Sequence, residues 1–194
     1  MIYLLGSTSS ERVMLYFQTT NVHKFNEAKE ILADYSMSIE HIHHGYEEIQ
    51  VDDLEEVVVS ALSGIPREDL FIEDAGLFID VLGGFPGVYS SYVLRTLGIH
   101  GVLKLMRGAD NRNAEFVSMV GLKHMGEVKI FKGVVIGSIS PEPRGDSGFG
   151  YDPIFVPHGS EKTFAEDIIL KREISHRRKA LEKLAQYIKK GGFE

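Results

Sequence analysis

Residues 71–80 read FIEDAGLFID, where an apolar pair, Phe71-Ile72, runs into two adjacent carboxylates, Glu73 and Asp74, followed by small Ala75-Gly76. Acids at the carboxyl end of a parallel strand lie where α/β sheets gather their ligands. Carboxylates there suit hard cations, and Mg²⁺ typically takes one or two of them along with waters and phosphate oxygens. Glu47-Glu48, after an earlier strand, could add an oxygen from the neighbouring edge. Taken alone, N-capping or surface solvation accounts for either pair.

A second cluster, TTNVHK (19–24), falls at a strand-to-helix turn. Backbone N–H groups at a helix start favour an anion, and Thr19, Thr20, Asn21 and Lys24 could hold phosphate oxygens beside them. Simple capping by Thr or Asn is the competing reading. The turn is not a P-loop, because G-x-x-x-x-G-K-[ST] is absent.

In SGFGYDPIF (147–155), Gly150 lets backbone approach a ligand, Phe149 and Tyr151 offer flat faces for a base, and Asp152 offers a directional acceptor. An aromatic-anchored structural loop would look the same. EISHRRKAL (173–181), with Lys171 just ahead, clusters donors at His176 and Arg177 near a helix start. Its Ser-His pair is no hydrolase dyad, since helix neighbours point apart and no G-x-S-x-G elbow occurs. HIHH (41–44) lacks further ligands at metal spacing and reads as a polar strand end. Together, the four clusters describe a nucleoside triphosphate site: a phosphate cradle, a metal carboxylate, a stacking loop and base-reading donors.

These groups need a scaffold. Apolar runs predict strands at MLYFQ (14–18), Ser38–His43 and Leu70–Asp74, alternating with helices in which Phe25, Ala28, Ile31 and Leu32, then Leu54, Val57, Val58, Ala61 and Leu62, share a face. This order predicts parallel pairing in an α/β sheet. GGFPGVYSSY (83–92) reads as a loop, Gly98–Arg107 as a short helix, and Ala114–Lys123 with Val128–Ile139 as a hairpin turning at MGE. Residues 141–153 form a long glycine-bearing loop before a short strand at Ile154–Val156. A single last helix, Lys171–Lys190, buries Ile174, Leu181, Leu184, Ala185 and Ile188. The expected fold is α/β, an elongated two-lobed mixed sheet flanked by helices, with an inserted β-hairpin lobe and a central cleft. Residues 1–13 read as an N-terminal extension without signal-peptide character, ahead of a single domain over 14–194.

Composition narrows the partners. The 194 residues are 43% hydrophobic and 25% charged, as in ordinary globular chains, and no stretch approaches a membrane span. A formal charge of −7 disfavours a nucleic-acid polyanion as a general partner. The chain has no cysteine, which excludes thiolate metal sites and fits a reducing, cytoplasmic setting.

The motifs TTNVHKFNEAKEIL, FIEDAGLF, GGFPGVYSSY, GFGYDPIF and ISHRRKAL occur in an order that resembles the inosine/xanthosine triphosphate pyrophosphatase (Ham1-like) family, in its archaeal form, from about Met14 to Ile188. The resemblance implies Mg²⁺-dependent hydrolysis of ITP, dITP and XTP to the monophosphate and pyrophosphate, by a homodimer that cleanses nucleotide pools. It implies Asp74 as the catalytic, metal-linked acid, Glu48 (or its neighbour Glu47) as the second metal carboxylate, and Thr19, Asn21 and Lys24 as the triphosphate turn. It also implies Phe149 and Tyr151 as the base pocket with Asp152 beside them, and Lys171, His176 and Arg177 as the group that reads the base. The GGFPGVYSSY loop becomes a candidate dimer contact.

The chain departs from the family pattern at Thr20 and His23, where glycines are usual, and at Ala75, where a serine is common. Val57 and Ser60 stand near positions that carry Asn and Lys in bacterial and eukaryotic relatives. Two other readings remain open: a Maf-type pyrophosphatase acting on other modified nucleotides, and a nucleotide-binding protein without turnover.

Overall fold

The computed structural model describes residues 14–46 and 49–192. Strand β1 (Met14–Gln18), helix α1 (Val22–Ala33), β2 (Ser38–Ile42), α2 (Leu54–Gly64) and β3 (Leu70–Ile79) open the chain in the expected alternation. β1 pairs parallel with both β2 and β3. A 3-10 turn, Asp80–Leu82, and a two-residue strand, β4 (Pro86–Gly87), lead into α3 (Ser90–Thr96) and α4 (Gly98–Leu105). The long strands β5 (Asn113–His124) and β6 (Glu127–Ile139), then β7 (Phe155–Pro157), α5 (Ile168–Ile174) and α6 (His176–Lys189), complete it.

The sheet has seven strands in the order β2-β1-β3-β5-β6-β7, with β4 on the flank of β3. The fold is therefore mixed α/β, as expected. The hairpin forms as read, because Met125 and Gly126 both adopt the positive φ that a two-residue turn needs. It joins β3 in one continuous sheet and serves as the spine of the molecule. One end of the spine carries a core of Leu15, Phe17, Ile31, Leu32, Phe71, Leu181 and Leu184 on one face, with the α2 core of Leu54, Val58, Leu62 and Ile72 on the other. The other end carries Leu77, Ile79, Val102, Met106, Ile154, Phe155 and Phe164.

Two element boundaries correct the sequence reading, and both bear on the site. β3 does not stop at the acids but continues to Ile79, because β5 pairs with all ten of its residues. What stops is β1. Its pairing with β3 ends at Phe17–Phe71, rings stacked 4.4 Å apart, while β4 takes up the same edge only at Leu77. Glu73, Asp74 and Ala75 fall between these partners, in a slot along the edge of an unbroken strand. The small residues meet a packing demand, since a Cβ at Gly76 would run into the carbonyl of Gly87.

The last helix is likewise two. Ser175 breaks it with an extended ψ of 156° and accepts the Arg178 N–H on its hydroxyl, starting α6 at His176. Ile174 consequently packs at the α3/α4 end of the molecule, while Leu181, Leu184, Ala185 and Ile188 pack against α1. Gly133 in β6 brings the new helix close, for a Cβ there would strike the backbone of His176 and Ala180. The expected loop at 83–92 is partly ordered into β4 and the first turn of α3, and the short strand near 155 begins one residue later than read. Among the described residues, no helix is long and apolar enough to cross a membrane.

Candidate active site

A cleft of about 410 Å³ opens where β3 outruns β1, a size typical of small-molecule sites. Its walls include Thr19, Thr20, Asn21, Lys24, Asp74, Ala75, Phe149, Gly150, Tyr151, Asp152, Lys171, His176 and Arg177. Four clusters far apart in sequence thus converge on one space. Glu48 and Glu47 lie outside the described residues.

At one end of the cleft, β1 feeds α1 through a capped turn. The Asn21 side-chain oxygen accepts the N–H groups of His23 (3.0 Å) and Lys24 (3.2 Å), and the Thr19 hydroxyl accepts that of Asn21 (3.1 Å). Capping, the competing reading of these residues, is therefore present, and it orients the first turn of α1 towards the cleft. Lys24 reaches across to the open edge of β3. Its Nζ lies 3.0 Å from a Glu73 carboxylate oxygen and 3.9 Å from Asp74 Oδ1, and donates to the Glu73 carbonyl at 3.2 Å. The rest of that edge is met by side chains too: Asp74 accepts the Ala75 N–H, and the Ser90 hydroxyl accepts that of Leu77, both at 2.8 Å.

The two adjacent acids occupy different environments. Glu73 is buried and accepts from the Ser118 hydroxyl at 2.7 Å, with Arg177 3.2 Å away. Burial alone would raise its pKa, but Arg177, Lys24 and the Ser118 hydrogen bond outweigh that and hold the carboxyl well below its usual range. Asp74 keeps 17% of its side chain exposed to the cleft. Both line the cleft, and Asp74 is the more exposed of the two.

Beyond Glu73 the charges continue towards the other end of the cleft. Arg177 bridges Glu73 and Glu27 of α1, and Lys171 bridges Glu27 and Asp152, both at 2.6 Å. Glu27 is also held below its ordinary value, with Arg177 and Lys171 overcoming its burial. Asp152 is raised by burial, against the opposing Lys171 ammonium and the Phe149 N–H that it accepts at 2.7 Å. That hydrogen bond closes the loop in which Gly150 takes a left-handed φ of 68°.

The aromatics divide. Phe149 lies between elements, its ring 5.2 Å from His23 in a stack and 4.5 Å from Lys171 Nζ. Tyr151 lines the cleft but packs into the core, and its hydroxyl donates to the Ser90 carbonyl at 2.8 Å. His176 stacks on Phe116 at 4.5 Å, and burial together with Arg177 keeps its imidazole neutral at physiological pH. His176 Nδ1 and Arg177 Nε are buried with no partner among the described residues. Both residues line the cleft, and an unpaired buried polar atom beside it would gain from a ligand that reached it.

Sequence reasoning did not find Glu27, Ser118, Ser90 or Phe116. Glu27 had a signal, since it follows Lys24 by three residues and shares its helix face. The other three are ordinary strand and helix residues that only the tertiary pairing brings to the site.

Comparison with known proteins follows the same outline. The Ham1 family profile matches residues 15–187. The dITP/XTP pyrophosphatase of Pyrococcus horikoshii is 50% identical over 179 residues, 90% of this chain and 96% of that protein. The protein of the same name from Methanopyrus kandleri is 47% identical over 178 residues, 89% and 95% of the two chains. Among solved structures, the Staphylococcus aureus Ham1 protein superposes with a TM-score of 0.78 at 29% identity, covering 92% of this chain and 99% of its own. A HAM1 protein from Coxiella burnetii gives 0.75 at 30%, with the same coverage.

Proposed function

The chain belongs to the Ham1 family, and from that premise we propose that it hydrolyses deaminated purine nucleoside triphosphates, ITP, dITP and XTP, to the monophosphate and pyrophosphate. The observation that carries the base half of this reading is Arg177. Its guanidinium is fixed by Glu27 and Glu73, it lines the cleft, and its buried Nε–H has no acceptor among the described residues. A guanidinium only donates. The 6-keto oxygen of hypoxanthine or xanthine supplies the missing acceptor, whereas adenine would present an amino group, donor against donor. Phe149 lies alongside, its ring 5.5 Å from the Arg177 guanidinium carbon.

At the other end, the triphosphate lies against the Thr19–Asn21 turn with Lys24 at the departing phosphates. Asp74, the cleft-exposed acid, orients a water and takes its proton as the water oxygen bonds to phosphorus. The bridging oxygen of the α–β anhydride then departs with pyrophosphate. Glu73 stays ionised and holds Lys24 and Arg177 in place.

The donor set suits Mg²⁺. Asp74 offers a hard oxygen, and the described residues contain no cluster of three or more His, Cys, Asp or Glu poised for a metal. An ion that keeps several waters and phosphate oxygens needs no more than one or two protein carboxylates. Lys24, Lys171 and Arg177 are already paired with Glu27, Glu73, Asp74 and Asp152, so a polyphosphate entering here calls for added positive charge. Asp74 would hold the ion, with Glu48 the second carboxylate by family resemblance. Bound there, Mg²⁺ would neutralise the leaving pyrophosphate.

We also read the enzyme as a cytoplasmic homodimer, with exposed Tyr89, Tyr92 and Leu97 on and around α3 as the candidate contact.

Product analysis tests the reaction. With Mg²⁺, ITP, dITP and XTP should yield the monophosphate and pyrophosphate, and removing the metal should stop turnover. Release of orthophosphate, or tight ITP binding without cleavage, would refute the assignment.

A further inference from the structure

We propose that His41 is a positioning residue for the phosphate end of the cleft, fixing the Thr19–Thr20 peptide so that its N–H faces the ligand. The inference rests on the triphosphate reading above for the identity of that ligand. His41 lies in β2, in register with Phe17, and its ring Nε2 is 2.9 Å from the Thr19 carbonyl oxygen. A carbonyl can only accept, so Nε2 carries the hydrogen and donates.

The direction of this bond is fixed. The imidazole stacks on Phe25 of α1 at 4.2 Å and 11°, and His43 meets it edge-on at 5.4 Å. Thr19 N–H already donates to the Ile42 carbonyl at 3.1 Å, so the residue is held to β2 on both sides of its Cα.

A trans peptide is planar, with its C=O and N–H pointing opposite ways. Among the described residues only Phe85-Pro86 is cis. The Thr19 carbonyl is drawn towards β2, so the N–H of Thr20 must turn away from β2. β1 lies between β2 and β3, and the cleft opens on the β3 side, with both threonines in its wall. An N–H aimed there is a ready phosphate donor. Without His41 the peptide could rotate and present its carbonyl, which would repel a phosphate. The HIHH run, read from sequence as a polar strand end, thereby gains a use for its first member.

Binding of the two halves of the substrate, measured separately, tests this. Calorimetry on the full chain with Mg²⁺ would titrate inorganic tripolyphosphate and, independently, inosine into the parent protein, His41→Phe and His41→Gln. Phenylalanine keeps the ring on Phe25 and removes the donor, while the glutamine amide restores a donor near Nε2. His41→Phe should weaken tripolyphosphate about tenfold, raise KM for ITP in step, and leave inosine binding unchanged. His41→Gln should recover most of the loss.

Equal tripolyphosphate affinity in His41→Phe and the parent would overturn the proposal. So would an equal loss for inosine, no recovery by glutamine, or a parent that does not bind tripolyphosphate. If tripolyphosphate binding falls as expected while the parent fails to cleave ITP, the positioning role stands and the proposed reaction falls.

Discussion

The Arg177 guanidinium and the Glu73 carboxylate lie 3.2 Å apart, both almost fully buried, in the wall that joins the two ends of the cleft. Neither group is independent. Arg177 also holds Glu27, and Glu73 also holds Lys24 and the Ser118 hydroxyl. Removing one member of a buried pair leaves the other uncompensated, a change that typically costs several kcal/mol. Glu73→Gln should therefore lose about 3 kcal/mol of stability, read as a lower urea midpoint at neutral pH. A midpoint equal to the parent's would show that the pair is dispensable.

The same carboxylate sets an acid limit. Its folded pKa lies below its ordinary value of 4.5, and Glu27 is shifted the same way. A depressed pKa contributes stability that is present above the unfolded value and lost as pH falls towards the folded one. The parent should thus lose stability steeply below about pH 4.5, with a shallower fall in Glu73→Gln. Parallel curves from pH-dependent melts would contradict this.

Asp74→Asn should abolish turnover while inosine binding stays within about twofold, because the amide preserves shape but cannot accept the water's proton. Single-turnover pyrophosphate release checks the first half and calorimetry the second. Unchanged turnover would remove Asp74 from the mechanism.

Gly76→Ala should cost about 1–3 kcal/mol, since its Cβ would meet the Gly87 backbone rather than a yielding side chain. A thermal melt identical to the parent's would return Ala75-Gly76 to the role of a bend.

Tyr151→Phe removes a buried hydroxyl that donates to the Ser90 carbonyl and should lower stability by about 1–2 kcal/mol. A raised KM with unchanged stability would instead assign that hydroxyl to the base.

Of the residues named from sequence, those within the described part of the chain line one cleft because their motifs are local, each a turn or helix start whose chemistry follows from a few neighbours. The helix faces of α1 and α2 and the 125–126 hairpin turn were legible for the same reason. The extent of β3 was not. Glu73, Asp74, Ala75 and Gly76 resemble a strand end, yet antiparallel pairing with β5, some forty residues later, carries the strand through them. The break at Ser175 was hidden by helix-compatible residues on both sides, and only the seat at Gly133 shows why α6 must start afresh. Arg177 was legible as a donor, but its fixation by Glu27 and Glu73 depends on contacts across 150 and 104 residues.

The ratio of kcat/KM for ITP over ATP in the unmodified protein with Mg²⁺ tests the central claim most directly. A site built around one hydrogen bond to the base discriminates by about 10⁴-fold, and a preference for ITP of that order is the expected result. Equal values for the two nucleotides would contradict the reading of Arg177 as the donor that the 6-keto oxygen satisfies.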